Sequence, residues 1–213
     1  MGKLAEFPDK GRTFILVDGA KVNDLSQIIY RELETPHCDA LYRETELADL
    51  LEISPWLVET GIDSSLALRC FEEWKSQGVA IAMQSDCNFE GVMDHLRGLL
   101  MARLVTGDDV VFRFYDPEIA RHLLKLDSSG EDVRRLMGPC SLFAIQDRRT
   151  GEWEFFHNDQ PNSEQQAEMF SIREEHQVAM ERAAEETALR KLELHVANYF
   201  PHLLQKTNAD GQD

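Results

Sequence analysis

The chain has 213 residues, 43% of them hydrophobic, and its 39 acidic and 22 basic residues give a formal net charge of −17. This length can bury a core without disulfides or a metal, and it suits one domain or one domain with a small appendage. The acidic balance argues against nucleic acids and anionic membrane surfaces, which bind Lys and Arg, and no segment approaches the roughly 20 apolar residues that span a bilayer.

The first hundred residues predict alternating strands and helices. Short apolar runs that end at turn residues indicate strands, and apolar residues spaced three and four apart indicate helices. Thr45 is the predicted N-cap of the helix at 45–53, and Gly78 is the predicted end of the helix at 63–78. The predicted strands are 12–20, 38–44, 55–60 and 79–86, and the predicted helices are 22–33, 45–53, 63–78 and 88–101.

The next segment predicts a hairpin, two helices and a second hairpin. "ARLV" and "VVFRFY" flank the polar link "TGDD", helices follow at 117–126 and 130–138, and the strands of 141–157 surround the turn "RRTG". These returns favour an α+β (mixed α/β) fold with a mixed or largely antiparallel sheet over a doubly wound parallel sheet.

A polar stretch, "NDQPNSEQQ" (158–166), predicts a linker because it has no aliphatic residue and contains a proline. We therefore expect an α/β domain at 1–158, and a linker, a small helical lobe and a frayed tail at 159–213. Beyond the linker the pattern predicts helix alone. Capping boxes are predicted at Ser163 with Gln166 and at Ser171 with Glu174.

The C-terminal helical run has apolar residues on two sides. One side carries Ile172, Ala179 and Ala183. The nearly opposite side, here called the distal apolar face, carries Leu189, Leu192, Val196 and Tyr199, with Leu203 beyond them. Either the helix breaks near Glu186–Thr187, or a partner covers the second side. We expect partner binding at the cleft between the two lobes, including this face.

The stretch "VVFRFYDPEIARHLL" (110–124) combines residue types that occur in catalytic sites. Strand alternation would place Arg113 and Tyr115 on the face opposite the two phenylalanines. Asp116 is a predicted N-cap, and Pro117 suits the first helical position, which needs no donor. The favoured interpretation is that Arg113 and Tyr115 pin neighbouring loops, with partner recognition and catalysis as alternatives.

The chain carries no recognisable catalytic or metal-binding motif. Its histidines lack metal-ligand spacing, and there is neither a GxSxG motif nor a glycine-rich phosphate loop, so no cofactor is expected. Cys140 with His157 is a weak nucleophile candidate. The absence of a signal peptide predicts a cytoplasmic protein. The cysteines, which we expect to be free thiols, are Cys38, Cys70, Cys87 and Cys140.

An ordered set of motifs resembles a known family. The set is "LVDGA", "SPWLVET", "GVAIAMQSD", "HLRGLLMARL", "VVFRFYDPEIARHLL" and "LMGPCSLF", over about residues 12–157. It is similar to the adaptor or chaperone proteins of bacterial type VI secretion effectors, called Tap or Tec, a family of unknown-function domains with an "FRFYDP" motif.

The resemblance implies a non-enzymatic protein of the bacterial cytoplasm. It would bind an effector, commonly encoded by the adjacent gene, and help to load it onto the VgrG spike. Arg113, Tyr115, Asp116 and Pro117 would then be family-motif residues with a structural or partner-binding role. The alternatives are an immunity protein that neutralises a toxin domain, and a small hydrolase that uses Cys140 or a carboxylate.

Overall fold

The computed structural model describes residues 11–74, 77–126, 130–162 and 169–199. The strands within these ranges are β1 (Arg12–Val17), β2 (His37–Ala40), β3 (Trp56–Thr60), β4 (Ala80–Ser85), β5 (Met101–Leu104), β6 (Asp109–Val111), β7 (Cys140–Gln146), β8 (Trp153–His157) and β9 (Phe170–Ile172). The α-helices are α1 (Leu25–Glu32), α2 (Ser65–Leu68), α3 (Phe89–Gly98), α4 (Pro117–Leu126), α5 (Glu131–Met137) and α6 (Glu174–Tyr199).

A six-stranded sheet forms the centre of the fold, in the order β2-β3-β1-β4-β7-β8, and every described pairing in it is antiparallel. Apolar clusters cover both of its faces, so the central strands β1, β4 and β7 are largely apolar and buried. In β1, Phe14 and Leu16 pack towards α3, α4 and α5, whereas Ile15 and Val17 pack towards α1 and α2. The predicted α+β class is confirmed.

A second, three-stranded sheet has the order β6-β5-β9. The predicted hairpin of β5 and β6 is present and antiparallel, and β9 pairs with β5 in parallel. The expectation of helix alone beyond the linker is therefore wrong, because Phe170–Ile172 forms a strand whose Phe170 and Ile172 complete the core. Three residues are too short a run to show a strand pattern against the helical residues that follow.

Two predicted helices take other forms. The 45–53 segment forms a 3₁₀ helix, Ala48–Ile53, and Thr45 accepts a hydrogen bond from Leu47 N–H (3.1 Å) ahead of it. The 63–78 segment begins as α2, capped by Ser64, and continues as the π-helical Arg69–Glu73.

α6 is one continuous helix, so of the two alternatives for its second apolar side, the break near Glu186–Thr187 is wrong. Ala179 and Ala183 are buried where its first half packs against α4. Ser171 cannot cap it, because Ser171 lies in β9 opposite Arg103. The capping box at Ser163 and Gln166, Leu203 and the predicted frayed tail lie outside the described residues, and the domain boundary at residue 158 stays a prediction.

Candidate functional site

The "FRFYDP" motif lies at the junction of both sheets and α4. Arg113 Nη2 donates to Asp18 Oδ2 (2.9 Å), and the Asp18 side chain is fully buried at the end of β1. Asp18 also accepts from Ala20 N–H (3.1 Å), which compensates its burial further. Burial lowers the pKa of Arg113, but the charge and hydrogen bond of Asp18 act together with the charges of Tyr115 and Asp116 and raise this pKa above its ordinary value.

Asp116 connects the start of α4 to the β1–α1 loop. Its Oδ1 accepts from Glu118 N–H (3.0 Å), as the N-cap prediction requires, and its Oδ2 accepts from Lys21 Nζ (2.9 Å). The same ammonium donates to the carbonyl of Gly78 (3.0 Å), a residue with φ 61° that precedes β4. Pro117 is buried as the first residue of α4.

Tyr115 is buried and forms a 2.5 Å hydrogen bond with the hydroxyl of Tyr42. Burial and, to a smaller extent, this hydrogen bond raise the pKa of Tyr115 far above its ordinary value. The predicted strand alternation is wrong after Val111, where β6 ends. Asp116 N–H donates to Arg113 O (3.0 Å) and closes a turn that buries Phe114 and Tyr115 together.

The motif's partners could not be found from the sequence. Asp18 is 95 positions from Arg113, and Tyr42 is 73 positions from Tyr115, so no local pattern connects them. The sequence shows that "LVDGA" contains a glycine, but it does not show why the fold needs a glycine there. A Cβ on Gly19 would lie 2.1 Å from Ser54 O, so only glycine permits this close approach.

An ion network centred on the buried Arg121, also absent from the sequence interpretation, joins α4 to α6. Arg121 is nearly buried and donates to Glu118 (2.9 Å), Asp147 (3.4 Å) and Glu186 (2.9 Å). Burial lowers the pKa of Arg121, but the hydrogen bond and charge of Glu118, together with the charges of Asp147 and Glu154, raise this pKa above its ordinary value. His122 Nε2 lies 3.2 Å from the same Glu186 carboxylate. The network holds α6 against α4 up to Glu186.

The distal apolar face lies beyond this attachment. Leu189, Leu192 and Tyr199 are 57%, 58% and 70% exposed, and Val196 is half-buried. None of the described residues 184–199 is buried. Leu189 also lines a cleft of about 300 Å³ between α6 and the β7–β8 turn, where Arg148 and Arg149 lie. The role of the distal apolar face in partner binding stays a prediction.

The hydrolase alternative gains no support from the position of Cys140. Its side chain is fully buried, and burial raises the pKa of its thiol far above the ordinary value, which disfavours the nucleophilic thiolate. His157 is exposed on β8, opposite Leu142. All four cysteines are free thiols.

In the part of the chain that the structure describes, two separate groups each bring together three side chains of the kinds that bind metal ions. One combines His122 with Glu118 and Glu186 of the Arg121 network. The other combines the buried Asp132 and His176 with the exposed Glu175, and Asp132 accepts from Arg173 and from His176 Nε2 (2.9 Å). Both groups are organised as ion pairs with arginine.

Residues 13–134 match a family described as "Domain of unknown function (DUF4123)". The chain belongs to this family. DUF4123 is the Tap/Tec-type adaptor domain of type VI secretion, so the resemblance seen in the ordered motifs is confirmed. The match contains the whole "FRFYDP" motif and ends before α6.

A relative of this DUF4123 chain is "Accessory protein VasW" of Vibrio cholerae serotype O1 (strain ATCC 39315 / El Tor Inaba N16961). The two are 25% identical over 214 residues, which cover 97% of this chain and 67% of the relative. No solved structure matches the chain. Among the described residues, no helix is both long and apolar enough to cross a membrane.

Proposed function

We propose that this chain is a non-enzymatic adaptor that binds a type VI secretion effector in the cytoplasm of the producing cell and helps to load it onto the VgrG spike. Membership of DUF4123 is the observation that carries this function. The similarity to an accessory protein supports an accessory role in type VI secretion. The buried thiol of Cys140 argues against a hydrolase that uses this cysteine as its nucleophile.

The mechanism is stoichiometric binding. An adaptor that joins an effector to VgrG needs surfaces for two partners, and the distal apolar face is the first candidate because α6 leaves it exposed. Burial of its leucines and tyrosine would supply affinity, and the net charge of −17 would steer a basic partner. Arg113, Tyr115, Asp116 and Pro117 would support this binding by holding the loops around them.

The test is a pull-down with the purified chain, the effector encoded by the adjacent gene and VgrG. The effector is divided into its N-terminal region and its toxin domain. The adaptor function predicts a complex that contains the N-terminal region and VgrG. Binding to the toxin domain alone, with rescue of intoxicated cells, would instead identify an immunity protein.

The same assay tests the distal apolar face. Leu192→Asp should weaken partner binding, because it places a charge among the apolar contacts. Leu68→Asp is the matched control, since Leu68 is an exposed leucine (41%) of α2, on the other side of the central sheet. If Leu192→Asp binds the partner as tightly as Leu68→Asp does, the distal apolar face is excluded as the binding site.

A further inference from the structure

The connection between β2 and β3 exposes apolar side chains at its tip. We call residues 42–54 the acidic loop. No residue of its 3₁₀ helix, Ala48–Ile53, is buried. Leu50 and Ile53 are each 47% exposed, and Leu51 is 37% exposed. Single exposed apolar residues are ordinary, but three within four positions form a patch of the kind found at interaction sites.

Exposed carboxylates lie before and between these apolar residues along the loop. The acidic side chains are Glu44, Glu46, Asp49 and Glu52. None of them forms an ion pair with a residue that the structure describes, and the one basic residue of the loop, Arg43, pairs with Asp39 (2.6 Å) in β2. The patch therefore has an uncompensated negative rim. A second copy of the chain would bring the same charge to it, whereas a basic partner would be attracted.

Hydrogen bonds at its base hold the acidic loop in place. Leu41 N–H donates to Pro55 O (2.8 Å), and Tyr42 N–H donates to Ser54 Oγ (3.0 Å), which closes the two ends together. The Tyr42 hydroxyl is held by Tyr115 of the "FRFYDP" motif. Glu44 has φ 60°, a left-handed conformation that a non-glycine residue keeps only where its surroundings enforce it.

A loop that is ordered before binding loses less conformational entropy when a partner docks. The "FRFYDP" motif therefore affects a surface away from itself, because its buried Tyr115 holds the base of the acidic loop, whose tip is exposed. The motif thus contributes to presenting a surface that it does not itself form.

We propose that the acidic loop is a docking site for a partner segment that carries apolar anchors flanked by lysine or arginine. The anchors pack on Leu50, Leu51 and Ile53, and the basic side chains pair with Asp49 and Glu52. This inference rests on the proposed adaptor function, and it adds a surface and the chemistry of the segment that the surface binds.

The experiment measures the affinities of the full chain for the purified adjacent-gene effector and for VgrG. One variant removes the anchors (Leu50→Ser with Ile53→Ser), and one reverses the rim (Asp49→Lys with Glu52→Lys). The matched controls are Val105→Ser, an exposed apolar residue elsewhere, and Asp63→Lys with Glu72→Lys, exposed acids without described ion pairs. The melting temperature of each variant checks that it is folded.

Both test variants should weaken binding to one of the two partners by at least about ten-fold, while the controls keep the wild-type affinity. Raising the salt from about 0.1 to about 0.5 M should weaken partner binding by the wild type more than partner binding by the rim variant.

Wild-type affinity in both test variants would overturn the docking site and leave the adaptor function standing. A wild-type chain that binds neither protein would overturn both. A self-associating wild type that anchor removal makes monomeric, with partner binding unchanged, would assign the patch to a second copy and overturn the site.

Discussion

At the scale of single residues, the "FRFYDP" motif connects separate parts of the fold through residue types that also occur in catalytic sites. Arg113 compensates the buried charge of Asp18, and Tyr115 meets Tyr42. Asp116 has two functions, since one carboxylate oxygen caps α4 and the other accepts from Lys21. The two oxygens allow these functions to be separated by substitution.

Asp116→Ala should lower the free energy of unfolding by about 1 kcal/mol, because α4 loses its cap. Asp116→Asn should retain most of the stability, because the asparagine oxygen can still accept from Glu118 N–H. Urea denaturation of both variants beside the wild type measures the difference. Equal losses in the two variants would show that the Lys21 contact, and not the cap, is the stabilising interaction.

At the scale of elements, the sequence predicts the central sheet well because each strand has a strong local pattern. β1 and β4 each contain a run of four apolar residues, and α4 starts at the proline that follows its predicted cap. β9 escapes prediction because its stability comes from pairing with the distant β5. The site follows the same division. Asp116 was identified by local capping rules, whereas Asp18, Tyr42 and Arg121 depend on partners that only the fold brings together.

Contacts between helices also make stability depend on pH. His95 of α3 donates from Nε2 to the carbonyl of Leu136 in α5 (3.1 Å). Burial lowers the pKa of His95 below its ordinary value of 6.5, although the hydrogen bond to Leu136 opposes this. The unfolded chain therefore takes up this proton more readily than the folded chain. The contribution to stability is complete above pH 6.5 and is lost as the pH falls towards the lowered pKa.

His95→Gln removes this titration and keeps a side chain that can donate to Leu136. Between about pH 7.5 and about pH 5.5, the wild type should therefore lose more unfolding free energy than the variant. Chemical denaturation at the two pH values measures both losses. A variant whose loss equals that of the wild type would show that His95 does not contribute to the pH dependence.

At the scale of the whole molecule, two exposed apolar surfaces lie on a strongly acidic protein. The distal apolar face follows the attachment of α6 at Glu186, and the acidic loop follows the Tyr42–Tyr115 contact. Each surface is carried by an element that a buried side chain, Arg121 or Tyr115, holds to the core through a polar contact. This arrangement suits a protein that presents fixed surfaces to partners, and it agrees with membership of an adaptor family.

The most direct test of the adaptor function is the amount of effector that co-purifies with VgrG from producing cells, with and without the gene for this chain. The adaptor function predicts that the effector is recovered on VgrG when the chain is present and is lost when the gene is deleted, with recovery restored by the wild-type gene. An equal amount of VgrG-bound effector in the deletion strain, at equal effector expression, would contradict it.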